Sequence, residues 1–454
     1  MALKKLLFFT VLTFFLSNFA LTQWQFVGFQ TGVGSFPSIS VSGPNTVAIG
    51  GGPNGQPKVY LSINGGVNWT TLGTTGLGTL EFYCIWMKDA NTIFTGDGGA
   101  VGGAGGNASY YKTTDGGATW TVLGSTGGSA GFINGIVFSN TNPMFGVTES
   151  DPPLGAGQPY YLSITTDGGV TWTVTNPPGV SGAASAQNSI VVIDDQWYGF
   201  GMNAGASRVY YTSNGGSTWN VGNLGIAGSF ISGFAMSTDK LRGIAISNTS
   251  LPNVARTTDG GQTWTSVNTG GDVTGYGTVK WIEGTDIVYI SGQTGASGVV
   301  KKSTDGGVTW STMTTGGITG LTHMEFFKDV NAVGITIYGY AVAGDGSVIK
   351  LVDMVTSLNP VNSEIPTEFK LQQNFPNPFN PVTTINFSIP KSSHVTLKVF
   401  NSIGQEVASI VNKYLPAGNY SEQFAATSNL TSGVYFYKLT ADGFSDTKKL
   451  MLVK

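Results

Sequence analysis

A single cysteine and two histidines serve the whole of this 454-residue chain. Cys84 forms no internal disulfide. Its neighbours in Glu81-Phe-Tyr-Cys-Ile-Trp-Met87 mark it as a small buried hydrophobe rather than a nucleophile. His323 and His394, with no second thiol, cannot assemble a zinc site of the usual kind, so no metal is expected, and nothing points to another cofactor. Charge is scarce as well: Asp, Glu, Lys and Arg together make up 10% of the residues, against about 25% in an average soluble domain. Residues 24–356 carry 12 Lys/Arg against 19 Asp/Glu, and residues 371–454 carry 7 Lys against 4 acids. Neither segment has a basic stripe, which excludes nucleic acid as the expected partner. Beyond the first residues no run is long and apolar enough to cross a bilayer, so no transmembrane segment is expected.

The one apolar run stands at the start. Lys4 and Lys5 precede Leu6–Leu16, followed by Ser17-Asn-Phe-Ala20-Leu-Thr-Gln23. A largely apolar run of eleven residues is too short for a span of about 20 and suits a secretory signal peptide over residues 1–22, cleaved after Ala20 or Thr22. No cysteine follows it, which excludes a lipid-modified N-terminus.

Glycine is abundant, at 67 residues, and aromatics reach 12%, so the chain is turn-rich without being disordered. Six copies of a short string end in tryptophan: Ser62–Trp69, Thr113–Trp120, Thr165–Trp172, Thr212–Trp219, Thr257–Trp264 and Ser303–Trp310. The tryptophans are 51, 52, 47, 45 and 46 residues apart. A period of that length means one supersecondary unit repeated, each copy burying its apolar face on the next. Within each unit a β-rich run, a polar turn, a second strand, a Gly-rich loop and a third strand lead into the string, and a short fourth strand follows. Four antiparallel strands with turn signals every 8–12 residues describe a propeller blade.

The string has a structural task that needs no ligand. Its third residue (Asn64, Asp115, Asp167, Asn214, Asp259 or Asp305) can accept backbone N–H bonds within the turn. The Gly-Gly pair supplies positive φ, and Trp69, Trp120, Trp172, Trp219, Trp264 and Trp310 plug against the neighbouring blade. Asparagine at two positions argues for hydrogen bonding rather than a needed charge. After Trp310 one more unit follows, with Asp353 at the aspartate position but no Gly-Gly and no Trp. Trp24–Gly28 resembles a fourth strand without its own blade. Pairing Trp24–Phe29 with Gly346–Val352 would close a ring of seven blades.

These strings resemble the Asp-box, or BNR, repeat of sialidase-like β-propellers, in register over residues 24–356. The resemblance implies an all-β, seven-bladed β-propeller, assigned to residues 23–356, with the boxes on the face opposite the ligand site. It does not imply one activity, because the fold serves enzymes, receptors and assembly factors.

A linker, 357–370, leads to the segment 371–454, whose alternating strands read as a small Ig-like β-sandwich. Its opening Leu371-Gln-Gln-Asn-Phe-Pro-Asn-Pro-Phe-Asn-Pro381, with Ile403-Gly-Gln-Glu-Val407, Ala417-Gly-Asn-Tyr420, Ser432–Tyr437 and the terminal Lys-Lys-Leu-Met-Leu-Val-Lys, resembles the type A C-terminal sorting domain of the type IX secretion system. That resemblance implies recognition of residues 371–454 by the secretion machinery, passage through the periplasm, and delivery to the outer-membrane surface or the medium.

A sialidase needs three arginines on the substrate carboxylate. The only arginines here are Arg208, Arg242 and Arg256, placed on third strands or beside a turn, and the Arg-Ile-Pro string of that family has only Ser35-Phe-Pro37 as its counterpart. Typical sialidase chemistry is therefore not expected. No Gly-x-Ser-x-Gly accompanies His323, and Gly102-Gly-Ala-Gly-Gly-Asn107 lacks the lysine and strand-to-helix setting of a phosphate loop. Asp89, Asp194, Asp195, Asp239, Asp286 and Asp329 read as turn formers on the box face. On the opposite face acids are few: Asp97, Glu149, Asp151, Asp272 and Asp345. The sequence thus favours a non-catalytic binding module with a glycan or protein ligand on loops 96–109, 148–159, 201–207 and 292–298. The alternative is an extracellular glycoside hydrolase using Asp97 with Glu149 or Asp151 as its carboxylate pair.

Overall fold

The computed structural model describes residues 24–453, apart from 35–36, 54, 99–105, 180–183, 186, 204–206, 227–230, 248–252, 272–276, 295–296, 332–333, 356–365, 367, 392, 416 and 427–429. The signal segment, Asp272 and most of the linker lie outside the described residues. Every regular element among those described is a strand, and no helix is long and apolar enough to cross a membrane.

The repeats build seven antiparallel sheets. Blade 1 runs Ser38–Val41, Val47–Gly51, Lys58–Ser62, Thr70–Thr71; blade 2 runs Phe82–Met87, Ile93–Asp97, Ser109–Thr113, Thr121–Ser125. Blades 3, 5 and 6 repeat that order from Ile133–Phe138, Ile231–Met236 and Val279–Trp281. In blade 4 the innermost strand is broken into Ala184–Ser185 and Val191–Val192, both paired to Tyr198–Asn203. Blade 7 comprises Leu321–Asn331, Gly334–Ala343 and Ser347–Val355, and its fourth strand is Trp24–Phe29 from the opposite end of the chain. The register is Trp24 opposite Leu351, Gln25 opposite Lys350 and Phe26 opposite Ile349, which closes the ring as expected.

Packing follows the same logic. Each of seven apolar clusters joins the strands of two adjacent blades. One example sets Ala48 and Val59 against Phe82, Ile85 and Trp120; another sets Trp24, Ile337 and Leu351 against Tyr289 and Val300. The ring is thus held by blade-to-blade burial, each large side chain contributing about 1.5–3 kcal/mol. Tyrosines beside or on the third strands, in the pairs Tyr110-Tyr111, Tyr160-Tyr161 and Tyr210-Tyr211, belong to these seams: Tyr160 packs on Phe200 and Tyr210 at 5.0 and 5.5 Å, and the Tyr110 hydroxyl donates across blades to Ser163 Oγ at 3.1 Å.

The tryptophan-ending strings fold as small caps. In blade 2, Thr113 Oγ1 donates to Asp115 Oδ1 at 2.7 Å, and Asp115 accepts the Thr119 N–H and hydroxyl. Hydrogen bonds from Thr119 lead the causes holding the Asp115 carboxyl below its ordinary range. In the two asparagine copies, Asn64 and Asn214 accept the N–H of Asn68 and Thr218 at 2.9 Å each. Both glycines of all six strings adopt positive φ, and the first donates to the turn joining the first two strands of its own blade, as Gly116 does to Asn91. Strings and turns therefore share one face, with Asp89, Asp194 and Asp239 capping turn N–H groups.

One local expectation needs correction. Asp329 lies within a strand, not a turn, because blade 7 extends its first two strands until Asn331 pairs with Gly334. Asp353, at the aligned aspartate position, lies within the strand Ser347–Val355. It accepts from Tyr289 and the Lys302 ammonium of blade 6 and so ties the last blade to its neighbour.

The C-terminal segment is a sandwich of two sheets. One comprises Lys370–Leu371, Val382–Ile389 and Gly418–Ala425. The other is ordered Glu406–Leu415, Ser393–Phe400, Gly433–Ala441, Phe444–Leu452. Alternating burial along Ser393–Phe400 and Gly433–Ala441 sends Val395, Leu397, Val399, Tyr437 and Leu439 into its core. The asparagine- and proline-rich opening is locked to that core. The Asn374 N–H donates to the Tyr437 hydroxyl, the Asn374 amide donates to Thr383 Oγ1, and Phe379 is buried.

Candidate ligand face of the propeller

The face opposite the caps begins at the N-terminal ends of the innermost strands. Four of these strands, in blades 2, 3, 5 and 7, carry a register shift at their first residues, where a bulge re-aims the side chains. The seven inner strands enclose a central cavity of about 200 Å³, lined in part by Ser40, Ile85, Asn188, Lys280, His323 and Glu325. Lys280 and Glu325 form an ion pair at this lining.

The three candidate carboxylates are strand residues or sit at a strand end, not in open loops. Asp97 ends its strand, is 2% exposed, and accepts the Ser109 N–H at 2.8 Å and the Tyr111 hydroxyl at 2.9 Å. Burial, with Asp97 as the next cause, pushes the Tyr111 phenol up to about 12, so it stays a donor. Glu149 lies inside Gly146–Ser150 at 0% exposure, and neither carboxyl oxygen meets a donor in hydrogen-bond geometry. Desolvation raises its pKa well above the ordinary value, partly offset by the nearby Ser185 hydroxyl. Asp151 follows that strand and accepts Asn134 Nδ2, the Ser185 N–H and Ser185 Oγ, each at 2.8 Å. Its pKa is raised, again chiefly by burial.

Glu149 and Asp151 thus share one polar seam between blades 3 and 4, and Asp97 lies in blade 2. Buried Cys84 stands within the field of both Glu149 and Asp97; burial first, then those charges, push its thiol up, as befits an inert side chain. Asp345, in the turn before Ser347, accepts the Ser347 N–H and hydroxyl and is engaged locally. Loops 96–109, 201–207 and 292–298 fall partly outside the described residues.

A second group emerges only from the fold. His323 Nδ1 accepts the Ile39 N–H at 3.0 Å, which places the ring proton on Nε2. Ser38 Oγ lies 3.1 Å from the same nitrogen and donates to Asn188 Oδ1 at 3.0 Å. With its lone pair taken by a backbone N–H, Nδ1 cannot serve Ser38 as a general base, and desolvation keeps His323 neutral. Asn188 occupies the gap in the broken inner strand of blade 4 at φ 55° and donates its N–H to Asn134 O at 2.8 Å. Gln187 beside it donates to Tyr83 O at 2.6 Å. Hydrogen bonds therefore run across the cavity mouth from Ser38 through Asn188 and Asn134 to Asp151. None of Ser38, Asn134, Ser185 and Asn188 stood out in the sequence. The one signal was the polar start of the fourth unit's inner run, Ser185-Ala-Gln-Asn-Ser189.

Among the described residues no group of three or more His, Cys, Asp or Glu side chains could hold a metal ion.

Residues 373–454 match the family described as the secretion system C-terminal sorting domain. None of the curated proteins matches the chain. Solved structures are similar to it at low identity. "YCF48 bound to D1 peptide" is 14% identical with a TM-score of 0.50, covering 73% of this chain and 97% of its own. The GH74 xyloglucanase from Xanthomonas campestris is 13% identical, TM-score 0.26, covering 75% and 63%. A chain of the mitotic checkpoint complex is 11% identical, TM-score 0.49, covering 78% and 100%. At these identities the likeness concerns the fold alone. Blades and sorting tail together identify the chain as a β-propeller protein that carries a type IX secretion sorting domain and is exported to the cell surface or the medium.

Proposed function

We propose that the propeller is a non-catalytic binding module, displayed outside the cell, whose ligand face is the one opposite the tryptophan-ending caps. The caps are read as Asp-box repeats with a scaffold role only. The observation that carries this reading is the internal use of the carboxylates on that face. Asp97 is held by two donors and Asp151 by three, while Glu149 is sealed from solvent. A glycosidase needs a carboxylate pair open to a sugar, about 5–5.5 Å or 6.5–9.5 Å apart. Carboxylates already engaged by the fold do not meet that need.

The rival is a glycoside hydrolase using Asp97 with Glu149 or Asp151. A panel of chromogenic glycosides, run beside glycan and peptide arrays on the same preparation, separates the two. The expected outcome is ligand capture without turnover, with Asp97→Asn lowering the melting temperature and altering no hydrolytic rate. Turnover that Asp97→Asn abolishes would overturn the binding-module reading.

A further inference from the structure

Six tryptophans occupy equivalent positions in the repeats, but their indole N–H groups do not share one fate. Trp69, Trp264 and Trp310 donate to the second glycine carbonyl of their own caps, at 3.0, 2.9 and 3.1 Å, and Trp120 donates to Gly73 O at 2.9 Å. Trp172 is sealed in a seam without an acceptor. Trp219 differs from all five: its Nε1–H meets no acceptor among the described residues and, unlike that of Trp172, is not sealed from solvent.

That N–H faces a groove of about 320 Å³ between blades 3 and 4, away from the central cavity. The volume equals roughly ten waters and falls at the low end for small-molecule sites. Pro177 and Pro178 form an apolar wall, and Asn176, Ser217, Tyr198 and Trp219 add polar groups. The Tyr198 hydroxyl likewise finds no partner among the described residues. Burial pushes its phenol up to about 12, so it remains able to donate. The two polar atoms converge beside Gly216, where an added Cβ would stand 2.7 Å from Tyr198 Oη and 4.0 Å from Trp219 Nε1.

The donors are also held in place. The Trp219 ring stacks on Tyr210 at 4.8 Å and 26°, and Tyr198 meets it edge-on at 5.6 Å. Tyr210 is itself tethered by its hydroxyl to Pro178 O at 2.8 Å. A donor fixed before binding avoids the ordering cost of a free side chain.

We infer that this groove is a second binding site, built for a neutral oligosaccharide. No Lys, Arg, His, Asp or Glu side chain lines it, so an anionic ligand would find no counter-charge, and the one carboxylate whose field reaches Tyr198, Asp195, stands outside the lining. Several neutral donors and acceptors beside a proline wall match a sugar ring, whose C–H face is apolar and whose hydroxyls both donate and accept. An extended peptide fits less well, because its carbonyls and N–H groups alternate along a line, whereas the two unpartnered polar atoms here converge at one point.

The test uses the full chain on an array of neutral cello-, xylo-, manno- and malto-oligosaccharides, with sulfated and sialylated glycans and proline-rich peptides alongside. Titration of each hit against Trp219→Phe and Tyr198→Phe follows. Tyr198→Phe keeps the ring and deletes one hydroxyl, whereas Trp219→Phe deletes the indole N–H together with part of the ring that packs on Tyr210. One lost hydrogen bond corresponds to about 3- to 10-fold weaker binding, and that loss in either folded variant, with ligand-face binding unchanged, is the expected result. Should Trp219→Phe fail to fold, Tyr198→Phe alone carries the test. Absence of any neutral hit, hits of equal affinity in both variants, or a peptide or acidic glycan whose binding depends on Trp219 would each overturn the assignment.

Discussion

Glu149 contributes less to stability as pH rises. Its carboxyl is buried between blades 3 and 4 without a hydrogen-bond partner in good geometry among the described residues, so the folded protein holds it protonated at pH values where the unfolded chain has already released the proton. The folded state then binds more protons than the unfolded state, and stability falls as pH climbs above the ordinary glutamate value of about 4.3. Glu149→Gln places a neutral amide of the same size there. Its melting temperature should equal or fall below that of the native protein at pH 4 and exceed it by a few degrees at pH 8. Parallel slopes of melting temperature against pH for the two proteins would show that Glu149 is not the source. The six caps illustrate the opposite case. Asp115, Asp167, Asp259 and Asp305 accept several donors and are held below the ordinary carboxylate range, so their contribution is present above about pH 4 and lost in acid. Their pattern was legible in the sequence because every bond involved lies within five residues. The isolation of Glu149 was not, since it depends on the packing of blades 3 and 4 that seals its carboxyl from solvent.

The strand Trp24–Phe29 is the element on which ring closure depends. It supplies the outer edge of blade 7, and Trp24 lies 1% exposed against Phe326 at 6.0 Å, within the seam joining blades 6 and 7. Removing residues 24–29 from the mature chain should expose the Ser347–Val355 edge and open that seam. The measurable outcomes are a fall in melting temperature well beyond that of a surface deletion, and association through the bare edge, seen by light scattering. A monomer of native stability would contradict this. Closure was readable because Trp24 begins a fourth-strand pattern that has no blade of its own. The broken inner strand of blade 4 was not readable. Asn188 adopts φ 55° to hold bonds toward Asn134 and Ser38, partners 54 and 150 positions distant.

At the scale of the molecule, two folded parts divide the labour. The propeller offers surfaces, and the sandwich of residues 373–454 carries the address. Truncation after Thr367 should leave an intact propeller in the periplasm, found by fractionation, while the full chain reaches the surface or the medium. Normal delivery of the truncated form would assign sorting elsewhere. The sandwich buries its own core of Leu397, Val399, Tyr437 and Leu439, so the truncation should not unfold the blades.

The sequence by itself determined the number of blades, the position of the caps, the closing strand and the sorting segment. Each of these is written either as a local pattern of turn and strand residues or as its repetition, and such patterns survive reading one residue after another. Only the tertiary structure decided which acids are spent inside the fold, which ring nitrogen of His323 carries its proton, and that the Trp219 N–H beside a groove meets no acceptor among the described residues. Those outcomes depend on burial and on donors from other blades, often more than 50 residues away, and neither is expressed in the chain near the residue concerned.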